Sequence, residues 1–435
     1  MTNNKTDLPE FVKKYKSKFA SDKWKLAIDC SKKYKLIVVI PVLSESGNLP
    51  KLVKSLNENE SQYFSEILVL FVINSVVDCS HKIIDDNQKS IDFLESIISQ
   101  GKLKFDLSYV DCNSKENQLT EKEGGVGLAR KIGMDLALEY FDYSKNNKNI
   151  LFCLDADCTV SKNYFDEVIN NFNKNNYSAA YVKYEHPLVG EEKNIKAIVC
   201  YEIFLRHYLL GLKTACSPYG FHTIGSTMAC NAESYVKIGG MNKRKAAEDF
   251  YFMEKLSKVT RINEINTACV YPSGRGSWRV PFGTGQRVNR FLSKKQNEYL
   301  LYSLDSFLLL KKWLDVFNND EIFSAEDYVK QIEELHPGLK KFFNEIKFER
   351  DWNKIISKLK PKEIIKQKRY WFDGFKTLKF VHFIRDNIYP LENMFTGLDR
   401  IFEFLQMKNP PCNKSTQIPD LDIQIKYLQK LRELT

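Results

Sequence analysis

The stretch Ile150-Leu-Phe-Cys-Leu-Asp-Ala-Asp-Cys-Thr159 decides the fold prediction, because an apolar run leads directly into two carboxylates one residue apart. A short apolar run of this kind is typical of a strand buried in a sheet. Asp155 and Asp157 would then stand at the strand's carboxyl end, where open α/β sheets bind their ligands. Mg²⁺ and Mn²⁺ take oxygen ligands, often only one or two carboxylates, and complete their coordination with substrate phosphates. The pair therefore predicts a divalent cation and a nucleotide diphosphate.

A purely structural role for the same two carboxylates stays open. In that interpretation Asp155 caps the strand and Asp157 caps a helix beginning near Ser161. The tripeptide Asp-x-Asp is common, so its meaning depends on the pattern around it.

The chain on either side of this stretch alternates short apolar runs with amphipathic segments. The runs that indicate buried strands are residues 36–42, 67–73, 107–110, 150–154 and 179–184, and helical spacing is found in 48–56, 89–99 and 127–140. Continuous apolar strands separated by helices predict an α/β domain with a mostly parallel sheet.

The sequence pattern changes after residue 290, where apolar residues recur at helical spacing and no run resembles a strand. Ser324 followed by Asp327 indicates a helix start, and Pro337-Gly338 a stop. We therefore expect a basic N-terminal helical extension over residues 1–35, an α/β domain over 36–290 and a helical domain over 291–435.

Composition and charge indicate a folded chain in a reducing compartment. None of the ten cysteines forms a Cys-x-x-Cys pair or falls at zinc-finger spacing with the six histidines. The N-terminus lacks the apolar core of a signal peptide, and no apolar run is long enough to span a bilayer. We expect a cytoplasmic protein. Basic and aromatic stretches at residues 1–35 and 360–372 either contact the inner face of the membrane peripherally or simply face water.

Further polar and glycine-rich elements follow the predicted strands. The first strand runs into Val39-Ile-Pro-Val-Leu-Ser-Glu-Ser-Gly-Asn48, and the second ends in Ile73-Asn-Ser75. Gly124-Gly-Val-Gly-Leu-Ala-Arg-Lys-Ile-Gly133 opens a helix, but it completes neither a dinucleotide fingerprint nor a P-loop. Its Arg130 would meet a phosphate or an acidic partner.

Two later elements are candidates for catalysis and phosphate binding. Glu248 and Asp249 precede an apolar helix, so they are either a solvated helix start or a general base and its neighbour. The loop Ser273-Gly-Arg-Gly-Ser-Trp-Arg-Val-Pro-Phe-Gly-Thr-Gly285 places Arg275 and Arg279 among glycines. We expect it to fold over a diphosphate, while an ordinary surface loop is the alternative.

Taken together, these elements resemble the family 2 glycosyltransferases of the GT-A fold over about residues 35–290. The resemblance rests on Val39-Ile-Pro41 with Glu45, on Gly127-Leu-Ala-Arg-Lys-Ile-Gly133, on Asp155-Ala-Asp157, and on Gly239-Gly240 followed by Glu248-Asp249. It implies a glycosyltransferase of hexosyltransferase type that uses a nucleotide-sugar donor. It further implies a Mg²⁺ or Mn²⁺ ion and an inverting single displacement by an acceptor hydroxyl.

The resemblance also implies roles for individual positions. The nucleoside pocket would be lined by Pro41, Val42, Glu45 and Asn74; Arg130 would lie beside the base or diphosphate; Asp155 and Asp157 would bind the metal and donor; Asp249 would be the base, supported by Glu248. Asn74 stands where the family usually has an aspartate, which weakens an assignment to uridine. The chain lacks the Gln-x-x-Arg-Trp of processive synthases, so we do not expect polymer extrusion.

Two other functional classes remain alternatives. A sugar-phosphate nucleotidyltransferase would carry a glycine-rich loop after the first strand, where this chain has Pro41-Val-Leu-Ser-Glu45. A nucleotide-sugar-fold protein without activity would serve as a binding or scaffold module. The acceptor is open among a glycan, a lipid-linked or cell-envelope molecule and a small molecule, and no nucleic-acid-binding motif accompanies the dispersed lysines.

Overall fold

The computed structural model describes residues 8–28, 32–144, 148–277, 283–413 and 417–435. Its strands are β1 (Leu36–Val42), β2 (Ile67–Asn74), β3 (Asp106–Cys112), β4 (Ile150–Cys153), β5 (Thr159–Val160), β6 (Ala179–Tyr184), β7 (Met228–Asn231), β8 (Ile262–Tyr271), β9 (Leu300–Leu301) and β10 (Glu392–Asn393). Its helices are α1 (Glu10–Phe19), α2 (Leu49–Asn57), α3 (His81–Ser99), α4 (Val126–Ala137), α5 (Tyr164–Lys174), α6 (Glu192–Thr214), α7 (Ala232–Lys237), α8 (Glu248–Ser257), α9 (Thr284–Leu292), α10 (Leu304–Phe317), α11 (Ala325–Leu335), α12 (Leu339–Glu345), α13 (Phe348–Ile356), α14 (Pro361–Trp371), α15 (Gly374–Asn387), α16 (Met394–Phe404) and α17 (Leu421–Leu434).

Eight of the strands form one sheet in the order β3-β2-β1-β4-β7-β6-β8-β5. β1 pairs in parallel with β2 and β4, β2 pairs in parallel with β3, and β6 pairs in parallel with β8. β7 is antiparallel to both β4 and β6, and β5 is antiparallel to β8. The predicted α/β class, with a mostly parallel sheet and a helical C-terminal part, is therefore confirmed.

The position of β1 in the sheet makes its carboxyl end a candidate place for a ligand. From β1 the chain moves outward to β2 and β3 and then returns to β4 on the other side of β1. At such a reversal the connections leave the carboxyl ends of the two central strands in opposite directions, which opens a ligand crevice. Every residue of β1 and β2 is buried, as their unbroken apolar sequences predict.

The sequence pattern did not reveal three of the strands in the same sheet. β7 has only four residues, and β5 has two. β8 has half-buried and exposed polar residues among its apolar ones. After residue 290, where only helices were expected, β9 and β10 form a two-residue antiparallel pair.

The described residues fall into two compact units. The first takes those within 1–187 and 222–274 together with Gly283, and the second takes those within 188–221, 275–277 and 284–435. Residues 188–221 therefore group with the C-terminal helices, whereas the sequence analysis placed them with residues 36–290. The reason is the apolar face of α6, because Val199 and Ile203 lie in one core cluster with Met394 and Tyr427.

The N-terminal helix α1 packs on the first unit through a buried polar cluster. The Tyr15 hydroxyl donates to Asp135 Oδ1 at 2.7 Å, and Lys131 Nζ donates to the Tyr15 oxygen at 3.0 Å. Gly240 has a φ of +76°, and a Cβ at that position would overlap the Tyr15 hydroxyl. Among the described helices, none combines the length and apolar composition needed to cross a membrane.

Candidate active site

The Asp155-Ala-Asp157 element follows β4 directly, at the carboxyl edge of the sheet. The Leu154 N–H donates to Val39 O at 3.2 Å, and the Cys158 N–H donates to Asp155 O at 3.1 Å, so the chain turns here. Both carboxylates are half-buried. The nearby helix α5 begins at Tyr164 with Asn163 at its N-cap, so Asp157 does not cap that helix.

Arg130 is the buried centre of the candidate site. Its guanidinium pairs with two carboxylates from distant parts of the chain: Nη1 donates to Glu248 Oε1, and Nη2 donates to Asp155 Oδ1. The side chain is only 3% exposed. Burial alone would lower the pKa of Arg130, but Asp155 and Glu248 raise it above its ordinary value. Arg130 therefore stays charged and joins the end of β4 to the start of α8.

Two glycines provide the space that this arrangement needs. A Cβ on Gly225 would lie within 2.8 Å of Arg130 Cζ and Nη1 and closer still to Nη2. A Cβ on Gly133 would lie 2.9 Å from Val72 Cγ2 and closer to Val39, so this glycine lets α4 approach the sheet. Substitution at either position would displace Arg130 or the helix that carries it.

The Glu248-Asp249 element begins α8 after Ala247, which has a φ of +58°. Asn242 Nδ2 donates to Glu248 O at 2.8 Å, and Asp249 Oδ1 accepts from the Phe250 N–H at 2.7 Å. Burial raises the pKa of Glu248 to about 7, although Arg130 acts against this shift and Asp249 adds to it. Burial raises the pKa of Asp249 as well, and the charge on Asp155 contributes. These carboxylates are thus not a solvated helix start.

The predicted nucleoside-binding residues lie at the carboxyl ends of β1 and β2. Pro41 and Val42 are buried opposite Val72 and Ile73. Asn74 Nδ2 donates to Val42 O at 2.8 Å and to Val72 O at 3.3 Å, which joins the two strand ends. Glu45 is buried just beyond β1.

Asn87, on α3, is a structural residue that the sequence analysis missed. It is fully buried and contacts the loops after three strands: Oδ1 accepts from the Ser44 N–H at 2.8 Å, and Nδ2 donates to Asn74 O at 2.9 Å and to Asn113 Oδ1 at 3.0 Å. A signal was available, because Asn87 shares a helical face with buried Ile91 and Leu94. A polar residue on such a face needs a partner.

The two arginines of the predicted loop are Arg275 and Arg279. Arg275 belongs to the second compact unit, whereas the carboxylates and Arg130 belong to the first. Arg279 lies outside the described residues.

The carboxylates fit a cation that is shared with a ligand rather than held by the protein alone. Over the described ranges, no group of three or more His, Cys, Asp and Glu side chains is arranged to hold a metal ion. Asp155 and Asp157 supply two carboxylates, and one oxygen of Asp155 is committed to Arg130. Mg²⁺ and Mn²⁺ accept such a sparse protein contribution when phosphates complete the shell.

Comparisons with known proteins give weak likenesses. No family model and no curated protein matches the chain. Staphylococcus aureus TarS 1–349 in complex with UDP is 14% identical with a TM-score of 0.36, over 92% of this chain and 89% of TarS 1–349. The mannosyltransferase PcManGT from Pyrobaculum calidifontis, in complex with GDP-Man and Mn²⁺, is 13% identical with a TM-score of 0.35, over 75% of each chain. GalNAc-T7 with UDP, GalNAc and Mn²⁺ is 15% identical with a TM-score of 0.36, over 73% of this chain and 55% of that one. Likenesses at this level assign no activity.

Proposed function

We propose that this protein is a glycosyltransferase of the GT-A fold and family 2 type, which transfers a sugar from a nucleotide-diphosphate sugar to an acceptor hydroxyl. The observation that carries the proposal is the buried Asp155–Arg130–Glu248 bridge. It joins the Asp-x-Asp element to the Glu-Asp element at the carboxyl edge of the sheet, although Glu248 comes 91 positions after Asp157 in the chain. A solvated turn and a solvated helix start would not share a buried cation.

The donor would bind across the carboxyl ends of β1, β2 and β4. Pro41, Val42, Glu45 and Asn74 would line its nucleoside pocket. Backbone carbonyl oxygens only accept hydrogen bonds, so the side-chain group of Asn74 that faces Val42 O must be its Nδ2. The Oδ1 atom of Asn74 can then accept a hydrogen bond from an N–H group of the nucleotide base. A base with an N–H on its pairing edge therefore fits this position.

Asp157 and Asp155 would hold a Mg²⁺ or Mn²⁺ ion together with the donor diphosphate, and this ion would stabilise negative charge on the leaving group. A contact of Arg275 and Arg279 with the donor phosphates stays a prediction from the sequence. Arg130 takes a different role from the one that the resemblance implied. Its guanidinium is buried and pairs with two carboxylates, so it positions them instead of binding phosphate.

Asp249 would accept the proton of the attacking acceptor hydroxyl, giving inversion at the anomeric carbon. Its raised pKa brings it closer to the value that general-base catalysis needs near neutral pH. Glu248 is held by Arg130 and lies in the first turn of α8. It would keep Asp249 correctly placed relative to the acceptor. The acceptor class stays open among a glycan, a lipid-linked molecule and a small molecule.

The test is a panel of nucleotide sugars, assayed for release of nucleoside diphosphate with and without Mn²⁺. Asp249→Asn should retain donor binding by calorimetry and lose about 10²–10⁴-fold in turnover, the usual worth of a general base. Asp157→Ala should lose the response to Mn²⁺. Asp92→Asn removes an exposed carboxylate of α3 and serves as the matched control.

The same panel separates the competing classes. Release of pyrophosphate from a nucleoside triphosphate would identify a nucleotidyltransferase. Metal-dependent donor binding without hydrolysis or transfer would identify a binding module. Near-normal turnover of Asp249→Asn would refute the assignment of the base.

A further inference from the structure

The second compact unit carries a concentration of positive charge on consecutive helices. Residues 354–379 contain nine Lys and Arg against two acids, a net charge of +7 out of +10 for the whole chain. Seven of these bases are exposed. Six of them, on α13, on α14 and between the two helices, form what we call the basic patch: Lys354, Lys358, Lys360, Lys362, Lys366 and Arg369. The seventh is Lys379 on α15. The patch begins on α13 and continues along α14, which packs against α13.

The exposed bases of α14 lie on one face of the helix, opposite its buried face. Lys362, Lys366 and Arg369 are spaced i, i+4 and i+7, so they share one face, and all three are exposed. Ile364, Lys368 and Trp371 have the same spacing on the opposite face and are buried. The exposed stripe is therefore the outward face of a helix that is anchored on its other side.

The local acids do not neutralise the patch. Glu363 Oε2 accepts from the Lys360 backbone N–H at 3.0 Å, and Asp373 Oδ1 accepts from the Lys376 N–H at 2.9 Å, so both act in helix capping. Within the described part of the chain, no member of the patch forms an ion pair. Elsewhere in the same unit exposed lysines do pair, as Lys330 does with Glu326 at 3.3 Å. On an ordinary solvent-exposed face, basic and acidic side chains alternate and can pair in this way.

An exposed aromatic side chain lies beside Lys379, the exposed base on α15. Phe375, in the first turn of α15, is 37% exposed, and Lys379 Nζ lies 4.6 Å from the centre of its ring. An aromatic ring beside cations suits the boundary between lipid headgroups and acyl chains. A nucleic-acid duplex has no apolar layer that would take up such a ring, and no motif for reading bases accompanies it in the sequence.

We propose that the basic patch, together with Lys379 and Phe375 of α15, docks the protein on an anionic lipid bilayer. The phospholipid headgroups supply a surface of negative charge, which attracts nearby basic residues at about fivefold in binding for each one. The attraction falls off within a Debye length, about 10 Å at 0.1 M salt. Docking therefore depends on the outward face of α14 and weakens at high ionic strength.

The test is cosedimentation of the full chain with phosphatidylcholine vesicles that contain either no phosphatidylglycerol or about one third of it. We expect binding only to the anionic vesicles. Replacing Lys362, Lys366 and Arg369 by Gln should weaken it about 100-fold, by the same factor per residue. The matched control replaces Lys82, Lys89 and Lys102, three exposed lysines in the first unit, by Gln and should bind like the unmodified chain.

Three results would overturn the proposal. These are equal binding to neutral and anionic vesicles, equal losses in the two triple variants, or patch-dependent binding to a DNA duplex without vesicle binding. If circular dichroism shows that the α14 triple variant is unfolded, Lys354→Gln with Lys358→Gln tests the same patch outside that helix. Phe375→Ser should reduce the binding that persists at high salt, since that part is apolar.

Discussion

Replacing Gly225 by alanine tests the bridge at the centre of the candidate site without removing a charge. The new Cβ would lie within 2.8 Å of Arg130 Cζ and Nη1, and closer to Nη2, whereas real Cβ contacts below 3.0 Å essentially do not occur. The guanidinium must therefore move by about half an ångström or more. It cannot retreat freely, because each Nη contacts a carboxylate and α4 already touches Val39 at Gly133.

The expected magnitude follows from which of these contacts yields. Overpacking a well-filled site costs about 1–3 kcal/mol. Separating one partner of a buried ion pair costs about 3–5 kcal/mol. Alanine also restricts the unfolded chain, which returns about 0.4–1 kcal/mol. We therefore expect Gly225→Ala to lower the free energy of unfolding by about 1–4 kcal/mol and to lower kcat more than donor affinity.

Urea unfolding and pulse proteolysis measure the loss of stability, and Gly47→Ala is the matched control. Gly47 is exposed, and its Cβ would meet nothing within 4 Å, so this variant should unfold at the same urea concentration as the unmodified chain. Arg130→Ala adds a second readout, because low millimolar methylguanidinium should refill its cavity and restore stability. That rescue should fail when Gly225→Ala is also present. A Gly225→Ala protein with unchanged stability and turnover would refute the bridge.

Three further predictions concern other parts of the first unit. Burial raises the pKa of Glu248 from 4.5 to about 7, so between these pH values the folded state binds a proton that the unfolded state releases. The free energy of unfolding should therefore fall as the pH rises from 4.5 to about 7. In urea unfolding, the Glu248→Gln variant should show a smaller fall over the same range. Asn87→Leu should leave the Ser44 N–H and Asn74 O without their hydrogen-bond partners, at a cost of about 1–3 kcal/mol of stability for each group. Calorimetry should also show weaker binding of a nucleoside diphosphate. The control, Gln88→Leu at an exposed position of the same helix, should change neither stability nor binding. Gly240→Ala should displace Tyr15, and limited proteolysis should then cut near α1 faster than in the unmodified chain.

The sequence predicted those parts of the sheet whose residues are buried on both faces. β1 and β6 have the predicted bounds, and β2 is one residue longer, because unbroken apolar runs leave little choice of position or face. β8 could not be found in this way, since solvent reaches several of its side chains and its polar residues break the run. β7 was missed because four residues are too few to show a pattern.

The site was predictable as a set of elements but not as a set of contacts. Asp155, Arg130 and Glu248 were each selected from local sequence, but Arg130 lies 118 positions from Glu248, and nothing local indicates that they touch. The sequence left two partners open for Arg130, a phosphate or an acid, and the structure pairs it with two acids. The two carboxylates favour a positioning role for Arg130, because they balance the charge of its buried guanidinium.

The charges around Arg130 provide an independent argument for a cation at this edge of the sheet. With Asp155, Glu248 and Asp249 all ionised, three negative charges face one buried positive charge, an excess of two. Burial raises the pKa values of Glu248 and Asp249, and the neighbouring carboxylates add to both shifts, so full ionisation of all three acids is disfavoured. A divalent cation beside Asp155 and Asp157 would add positive charge at this edge of the sheet and favour the ionised forms of Glu248 and Asp249. Binding of metal and donor on one side of Arg130 is thereby expected to promote ionisation of the base on the other side.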